Sequence, residues 1–238
     1  MLPLFILQTG NPPQAVRTRH GDFQAMFGTL LAPLGRPLVA ARGYAGEPLP
    51  DPGSVAGAVI TGSPGNITDA VPWMDEAAEW VRRAHAAGLP LFGVCFGHQL
   101  MAHALGGRVD YHPRGREVAT QPIELTEAAG NDPWLRGTPR QFAAQLLHEQ
   151  TVIEPPPGAT VLGANVHDAH QILRYGVNAV SVQFHPEFSA PIMREYLDIM
   201  AERLTAEGLD VPALRADVRD APIATGLLSA FFAVQPLT

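Results

Sequence analysis

Residues 89–106 read LPLFGVCFGHQLMAHALG and contain the only cysteine of the 238-residue chain, Cys95. The stretch before Cys95 is almost wholly apolar, which predicts a strand that is buried on both faces. The stretch after it predicts a helix over 97–105, which ends at two consecutive glycines. Gly93 and Gly97 bracket Cys95 at the junction, as glycines do where a strand turns tightly into a helix. The sequence therefore predicts a strand–helix unit with a cysteine on the bend.

The residues before this unit repeat the same alternation of strand and helix. Apolar runs at 2–8, 37–41 and 55–61 predict buried strands, and the segments 22–34 and 72–87 predict helices between them. Strands that alternate with helices form parallel sheets, because each helix returns the chain to the same edge. We therefore expect an α/β fold, a flavodoxin-like, open, mostly parallel sheet with helices on both faces.

Beyond residue 107 the pattern changes to strands joined by turns. The predicted elements are strands at 116–125, 140–147, 160–163, 171–175 and 179–184, followed by a helix over 191–206. These strands predict a small antiparallel extension of the sheet. One domain is expected over residues 1–238, with a C-terminal helical extension over about 207–238. In that extension the stretch 224–234, which contains Phe231-Phe232, is interpreted as a packing helix, and an apolar homodimer face is the alternative.

Composition excludes several classes of function. The chain carries a net charge of −7 without a basic run, so it offers no electrostatic surface to nucleic acid. All 16 basic residues are arginine, which excludes a lysine Schiff base and a P-loop lysine. A single cysteine excludes an internal disulfide and the usual structural zinc patterns. No apolar run reaches the roughly 18 residues of a membrane span, and the N-terminus lacks a signal-peptide pattern. A cytoplasmic protein without membrane contact is expected.

One segment contains side chains of the types that bind metals. His167-Asp168-Ala169-His170 combines two histidines and a carboxylate, but no helix orders them. We therefore interpret the segment as a solvated loop, and the sequence predicts neither a metal nor a cofactor.

A cysteine at the start of a helix is suited to nucleophilic chemistry. The helix N-terminus stabilises a thiolate, and the thiolate is the nucleophilic form of cysteine. The amide of Phe96 has no intrahelical partner, so it can donate to an oxyanion on the group that Cys95 attacks. The alternative is that Cys95 is a small buried apolar residue, as most free cysteines are.

The second candidate is a histidine at the end of an apolar strand, in the sequence VSVQFHPE at 180–187. A thiolate nucleophile needs a proton shuttle, which is usually a histidine held by a third group. Pro186 favours an extended backbone at His185, and in an extended segment Glu187 projects to the same side as the imidazole. The alternative is that His185 is only a packed or solvated histidine.

Three motifs together resemble those of the class I glutamine amidotransferases, also called the triad or HPE type. GVCFGHQ at 93–99 resembles the family's nucleophile motif, and QFHPE at 183–187 resembles its histidine–glutamate motif. VITGSPG at 59–65 resembles the Gly-Gly-Pro loop that completes the family's oxyanion hole. The resemblance covers about residues 2–190 and is greatest to stand-alone members similar to the glutaminase domain of GMP synthetase.

The resemblance implies roles for nine residues. Cys95 would be the nucleophile, His185 the general acid and base, and Glu187 the residue that orients His185. Ser63 and Phe96 would donate their backbone amides to the oxyanion. The substrate contacts would be Gly62, Gln99, His148 and Glu149. The chain departs from the family at Ser63, where relatives have glycine, but a backbone donor tolerates that change. It departs again at His148-Glu149-Gln150, which replaces His-Gly-Asp. Glu149 is expected to add bulk and negative charge near the substrate carboxylate.

The reaction that the resemblance implies is hydrolysis of the glutamine side-chain amide through a γ-glutamyl thioester on Cys95, with neither metal nor cofactor. The chain contains no glycine-rich ATP-binding signature, so the acceptor of ammonia is expected to be a separate synthetase subunit. Three alternatives stay open. The first is a γ-glutamyl peptidase acting on small γ-glutamyl compounds, as plant relatives do. The others are a non-catalytic regulatory or binding module, and a stress-related cysteine hydrolase, which the late His-Pro-Glu disfavours.

Overall fold

A computed structural model describes residues 1–235 of the chain. The strands within these residues are β1 Leu4–Gln8, β2 Leu38–Arg42, β3 Gly57–Ile60, β4 Leu91–Val94, β5 Arg108–Tyr111, β6 Glu117–Leu125, β7 Gln141–His148, β8 Gln150–Glu154, β9 Thr160–Ala164, β10 Ile172–Arg174 and β11 Ala179–Val182. The helices are α1 Gln14–His20, α2 Phe23–Leu31, α3 Pro72–Ala86, α4 Phe96–Ala104, α5 Ala190–Ile199, α6 Ala201–Ala206, α7 Val211–Asp217 and α8 Pro222–Ala233. Short 3₁₀ turns connect several of them.

The larger sheet has the strand order β2-β1-β3-β4-β11-β10-β9-β6-β7. Its first five strands are parallel, with Leu7 paired to Ile60 and Val94 paired to Val182. The remaining pairs are antiparallel. The parallel part has the flavodoxin-like strand order, and ligand sites in such sheets lie outside the carboxyl ends of the strands. The predicted α/β fold with an antiparallel extension is confirmed.

Apolar residues on both faces of the parallel strands produce two cores. Along β1, Leu4 and Ile6 belong to the core beneath α2, α5 and α8. Phe5 and Leu7 belong to the core beneath α3 and α4. This division follows from the two-residue period of a strand, which sends neighbouring side chains to opposite faces. All five residues of β1 are buried, as a strand covered on both faces requires.

The C-terminal helix α8 closes the first core. Phe231 and Phe232 are 0% and 1% exposed, and the ring of Phe231 lies 5.5 Å from that of Phe92 on β4. The indole nitrogen of Trp134 donates a 2.8 Å hydrogen bond to the Leu227 carbonyl in α8. The predicted packing role of this helix is confirmed, and Phe231 and Phe232 are not available to a homodimer face because the chain buries both rings itself. A homodimer through another surface stays a prediction, and residues 236–238 of the predicted extension lie outside the described residues.

Three elements were not predicted from the sequence, namely helix α1 and strands β5 and β8. Helix α1 buries only Val16, so its residues show no apolar periodicity. Strands β5 and β8 pair antiparallel as a separate ribbon, with Val109 opposite Val152. The ribbon escaped prediction because three of the four residues of β5 are exposed.

The prediction that residues 167–170 form a solvated loop is wrong at Asp168. Asp168 is only 2% exposed, and its carboxylate accepts hydrogen bonds from the Thr151 hydroxyl and the His170 amide. Burial would raise the pKa of Asp168, but His148 nearby and these donors outweigh it and lower the pKa. Within residues 1–235 no group of three or more metal-ligating side chains comes together.

Among the helices of residues 1–235, none is both long enough and apolar enough to cross a membrane. The cytoplasmic location expected from the sequence stays a prediction.

Candidate active site

Cys95 occupies the bend between β4 and α4. Its backbone lies at φ 52°, ψ −102°, in a region that is unfavourable for residues other than glycine. Two hydrogen bonds from neighbouring strand ends hold the bend. The Cys95 amide donates to the Val182 carbonyl at 2.9 Å, and the Gly97 amide donates to the Thr61 carbonyl at 3.1 Å. The sheet therefore holds the cysteine in a conformation that a free chain would avoid.

The glycines that bracket the cysteine are required by close backbone contacts. A Cβ atom on Gly97 would lie 2.2 Å from the Ile60 carbonyl oxygen, and one on Gly93 would lie 2.6 Å from the Gly97 carbonyl oxygen. Contacts this short force the backbone to move, so only glycine fits at either position. The sequence interpretation of a glycine-bracketed bend is confirmed.

His185 follows β11 and reaches the same edge of the sheet. Its amide donates to the Gln145 carbonyl at 2.8 Å, which fixes the backbone. Its Nδ1 lies 2.8 Å from Oε1 of Glu187, so the Nδ1–H donates to this buried carboxylate. The ring of Phe188 lies parallel to the imidazole, with centroids 4.1 Å apart and an angle of 3° between the planes. With Nδ1 engaged by Glu187, Nε2 is the nitrogen left for proton exchange.

Cys95 and His185 meet beside Gly62. A Cβ on Gly62 would lie 3.0 Å from His185 Cε1 and 3.7 Å from Cys95 Cβ, so a side chain at this position would crowd the imidazole. Burial would lower the pKa of His185, but the charges of Glu187 and Cys95 and its hydrogen bonds to both raise the pKa to about 10. The site therefore favours the imidazolium at neutral pH. The structure brings together the three residues predicted from two distant motifs.

The two predicted oxyanion donors lie on either side of the cysteine. Phe96 is the first residue of α4, so its amide has no acceptor within the helix. Ser63 follows β3 and lines the pocket beside Cys95, and its amide has no protein acceptor within residues 1–235. The Ser63 hydroxyl accepts from the Gly65 amide at 3.1 Å, which stabilises the loop. Both amides are therefore available to a ligand.

A pocket of about 350 Å³ opens next to Cys95, a volume within the range of small-molecule sites. Its lining falls into two groups that come from different elements. The polar group comes from the loop after β3, from α4 and from the β7–β8 turn: Ser63, Asn66, Gln99, His148, Glu149 and Gln150. The apolar group comes from the starts of α1 and α2 and from the region of α5: Pro13, Phe23, Phe188, Tyr196, Ile199 and Met200.

His148 lines the pocket, but its polar atoms face the protein. Its Nε2 lies 3.0 Å from the Glu117 carboxylate, and its Nδ1 lies 3.0 Å from the Gln150 carbonyl oxygen. The expected contact of His148 with substrate is therefore limited to the ring itself. Gln99 also lines the pocket, and its amide nitrogen donates to the Gln150 carbonyl at 2.7 Å and to Gln183 at 3.1 Å. Only the carboxamide oxygen of Gln99 stays available to a ligand.

The negative charge expected of Glu149 is neutralised in the structure. Its carboxylate binds the guanidinium groups of Arg116 and Arg203, the second at 2.7 Å. Both arginines also bind Glu207, at 2.9 and 3.0 Å. Hydrogen bonds from Arg116, followed by those from Arg203, outweigh burial and lower the pKa of Glu207. The expectation that Glu149 adds negative charge to the pocket is therefore corrected, since two positive and two negative charges balance at this rim. That Glu149 lies near the substrate carboxylate stays a prediction.

Several pocket residues were missed from the sequence. Arg116 and Arg203 stand 33 and 54 residues from Glu149, so no local pattern joins them. The ring of Tyr196 stacks on Phe188 at 4.9 Å and extends the stack that begins at His185. A signal for Phe188 was available, because it directly follows the His-Pro-Glu motif. Burial, followed by the charges of Glu187 and Cys95, raises the pKa of Tyr196, which keeps the phenol neutral.

The fold and the site together define an α/β protein with a cysteine, a histidine and a glutamate at the carboxyl edge of its sheet. The chain belongs to the class I glutamine amidotransferase family, whose model matches residues 48–198. The resemblance drawn from the three motifs is thereby confirmed.

Individual relatives agree with the family assignment. The chain is 30% identical over 170 residues to a glutamine-hydrolyzing GMP synthase of Thermomicrobium roseum, a match that covers 68% of the chain and 30% of that protein. It is 30% identical over 163 residues to a γ-glutamyl-L-1-hydroxyisopropylamide hydrolase of a Pseudomonas species, covering 66% of the chain and 55% of that protein. The chain therefore spans about half, or less, of these curated relatives.

Solved structures show the same fold. A glutamine amidotransferase from Methylobacillus flagellatus superposes with a TM-score of 0.78 at 27% identity, over 98% of this chain and 92% of that one.

Proposed function

We propose that the protein is a cysteine hydrolase that cleaves the γ-amide C–N bond of glutamine or of a related γ-glutamyl amide. The observation that carries the proposal is the meeting of Cys95 and His185 beside Gly62, with Glu187 bound to Nδ1 of the imidazole. A buried cysteine with no chemical role would need neither a strained backbone nor a charged imidazole beside it. The family assignment supports the proposal, because relatives are named for hydrolysis of glutamine or of a γ-glutamyl amide.

The first half of the proposed reaction forms a thioester. The Cys95 thiolate attacks the γ-carbonyl carbon, and the displaced electron pair moves to oxygen, where the Ser63 and Phe96 amides donate to it. As the carbonyl re-forms, the C–N bond breaks and His185 gives its Nε2 proton to the leaving nitrogen. Ammonia or an amine departs, and a γ-glutamyl thioester stays on Cys95. Each oxyanion donor contributes about 3 kcal/mol in such reactions.

The second half releases glutamate. The neutral imidazole of His185 takes a proton from water, and the resulting hydroxide attacks the thioester carbon. The C–S bond breaks, Cys95 leaves as the thiolate, and His185 is again the imidazolium. The sum is one γ-amide and one water converted to glutamate and an amine, without a redox step. General acid–base assistance of this kind is worth about 10²–10⁴-fold.

The test is to trap the thioester. The purified protein is mixed rapidly with L-glutamine or γ-glutamyl amides, acid-quenched, and analysed by intact mass for a γ-glutamyl adduct on Cys95. The adduct is expected in the wild type and absent in Cys95→Ser. His185→Asn should abolish it, whereas His20→Asn should not, because His20 forms a surface pair with Glu195 at 3.1 Å. If Cys95→Ser matches the wild type in every hydrolytic assay, the non-catalytic module is the correct interpretation.

The separate ammonia-accepting synthetase subunit stays a prediction. It applies only if glutamine is the physiological substrate, because an N-substituted γ-glutamyl amide releases an amine instead of ammonia.

A further inference from the structure

The position of the leaving nitrogen follows from the proposed chemistry. His185 must donate a proton to that nitrogen, so the nitrogen has to lie within hydrogen-bonding distance of Nε2. The oxyanion points the other way, toward the amides of Ser63 and Phe96. Any substituent on the leaving nitrogen therefore extends along the His185 side of the pocket.

The His185 side of the pocket consists of stacked rings. Phe188 lies against the imidazole at 4.1 Å, and Tyr196 lies against Phe188 at 4.9 Å. Both rings line the pocket and are buried. Helix α5 carries Tyr196 and is joined to α1 by the 3.1 Å hydrogen bond between Glu195 and His20.

The apolar lining continues beyond these rings. Phe23 and Met200 line the same pocket, and Ile199 stands at its edge with 45% of its surface exposed. Ammonia, the leaving group of glutamine, carries no substituent that could contact this apolar wall. An apolar substituent on the leaving nitrogen would contact this wall, cover part of Ile199, and gain the free energy of removing its own surface from water.

The charges at the rim argue against an amino acid as the leaving group. An amino acid would bring a carboxylate, which needs an unpaired cation. The arginines of the rim, Arg116 and Arg203, are both already bound to Glu149 and Glu207. A neutral amine requires no such partner.

We propose that Phe23, Phe188, Tyr196, Ile199 and Met200 form a leaving-group subsite, and that the preferred substrates are γ-glutamyl amides of neutral, apolar amines. The proposal rests on the proposed function, since it assumes attack by Cys95 and proton donation by His185.

The first experiment varies the amine. We would measure kcat/KM of the full chain for L-glutamine and for the γ-glutamyl methyl-, ethyl-, propyl- and butylamides, with γ-glutamyl-leucine as a charged compound of similar size. Burial of each added methylene should raise kcat/KM about fourfold. The propyl- and butylamides should exceed both glutamine and γ-glutamyl-leucine. A flat series, or a preference for γ-glutamyl-leucine, would overturn the subsite.

The second experiment changes the wall without touching the reacting residues. Ile199→Asp should lower kcat/KM for the butylamide about tenfold more than it lowers kcat/KM for glutamine, since its carboxylate replaces about two methylenes of contact. The matched control is Val177→Asp, at a loop residue that is 84% exposed. Equal effects of the two variants on the butylamide would contradict the proposal.

The two proposals fail in different ways. If Cys95 is acylated by every amide but does not discriminate among them, only the subsite is wrong. If neither glutamine nor any amide acylates Cys95, the proposed function and the subsite are both wrong.

Discussion

Replacing Glu187 by glutamine should remove the charge from His185 at neutral pH. The carboxylate oxygen lies 2.8 Å from Nδ1, and the two side chains are 0% and 4% exposed. At an effective dielectric constant of about 20, a charge pair at this distance is worth about 6 kcal/mol, and one pKa unit corresponds to about 1.4 kcal/mol. The loss is large enough to lower the pKa of His185 from about 10 toward its ordinary value of 6.5, because only Cys95 then opposes the effect of burial.

The assay is a pH titration of the histidine ring nitrogens by NMR, with His185 assigned from a His185→Asn spectrum. In the wild type, His185 should stay an imidazolium from pH 6 to 9, whereas in Glu187→Gln it should be neutral above pH 7. The matched control is Glu117→Gln, which breaks the second buried histidine–glutamate pair, with His148, and should leave the His185 signal unchanged. A wild-type His185 that titrates near pH 6.5, or a variant that stays charged at pH 8, would refute the reasoning.

The same shift has a consequence for stability. Because the folded pKa of about 10 exceeds the ordinary value of 6.5, the charged imidazole stabilises the fold fully below pH 6.5. This contribution is lost as pH rises from 6.5 through 10. The difference of about 3.5 pKa units corresponds to about 5 kcal/mol. Urea unfolding should therefore show a decrease in the unfolding free energy over this range that is much smaller in Glu187→Gln.

Three further outcomes are expected. Gly97→Ala should lower the free energy of unfolding by about 3 kcal/mol, because the added Cβ would lie 2.2 Å from a carbonyl oxygen. Gly226→Ala, in the open part of α8, should raise it by up to about 1 kcal/mol. Calorimetric unfolding of the two variants measures the difference. Ser63→Gly should keep kcat within about twofold because the donor is a backbone amide, but Gly62→Ala should lower kcat about 10- to 100-fold by displacing His185. Trp134→Phe should cost about 1 kcal/mol and lower Tm by about 2–4 °C, since the hydrogen bond to α8 is lost, and an unchanged Tm would contradict this role.

The parts of the fold that could be predicted are those with local signals. Strand β4 is an uninterrupted apolar run, and the glycines around Cys95 mark a backbone contact that only glycine allows. His185 and Glu187 could be paired because an extended segment places residues two apart on one side. These local rules locate the proposed reacting groups even though the two motifs stand 90 residues apart, at Cys95 and His185.

The parts that could not be predicted depend on contacts between distant segments. Arg116 neutralises Glu149 only because β6 and the β7–β8 turn are neighbours in the sheet, and nothing near Glu149 in the chain indicates this. Likewise, His148 matches a pocket residue of relatives, yet the carboxylate of Glu117 opposite it on β6 turns its ring nitrogens inward. The place of these side chains in the pocket was predictable, but their electrostatic environment was not.

Ile199 and Met200 line the pocket at the junction of α5 and α6, away from the strand ends that hold Cys95 and His185. Under the two proposals, amine selection and bond breaking therefore depend on different parts of the fold. We assign bond breaking to residues anchored at the ends of β3, β4 and β11, and amine selection in part to a helical corner outside the sheet. Substitutions at that corner are therefore expected to change the preference for the leaving amine more than the reactivity of Cys95. A library randomised at positions 199 and 200 should yield variants in which the ratio of kcat/KM for γ-glutamyl amides to kcat/KM for glutamine differs from that of the wild type.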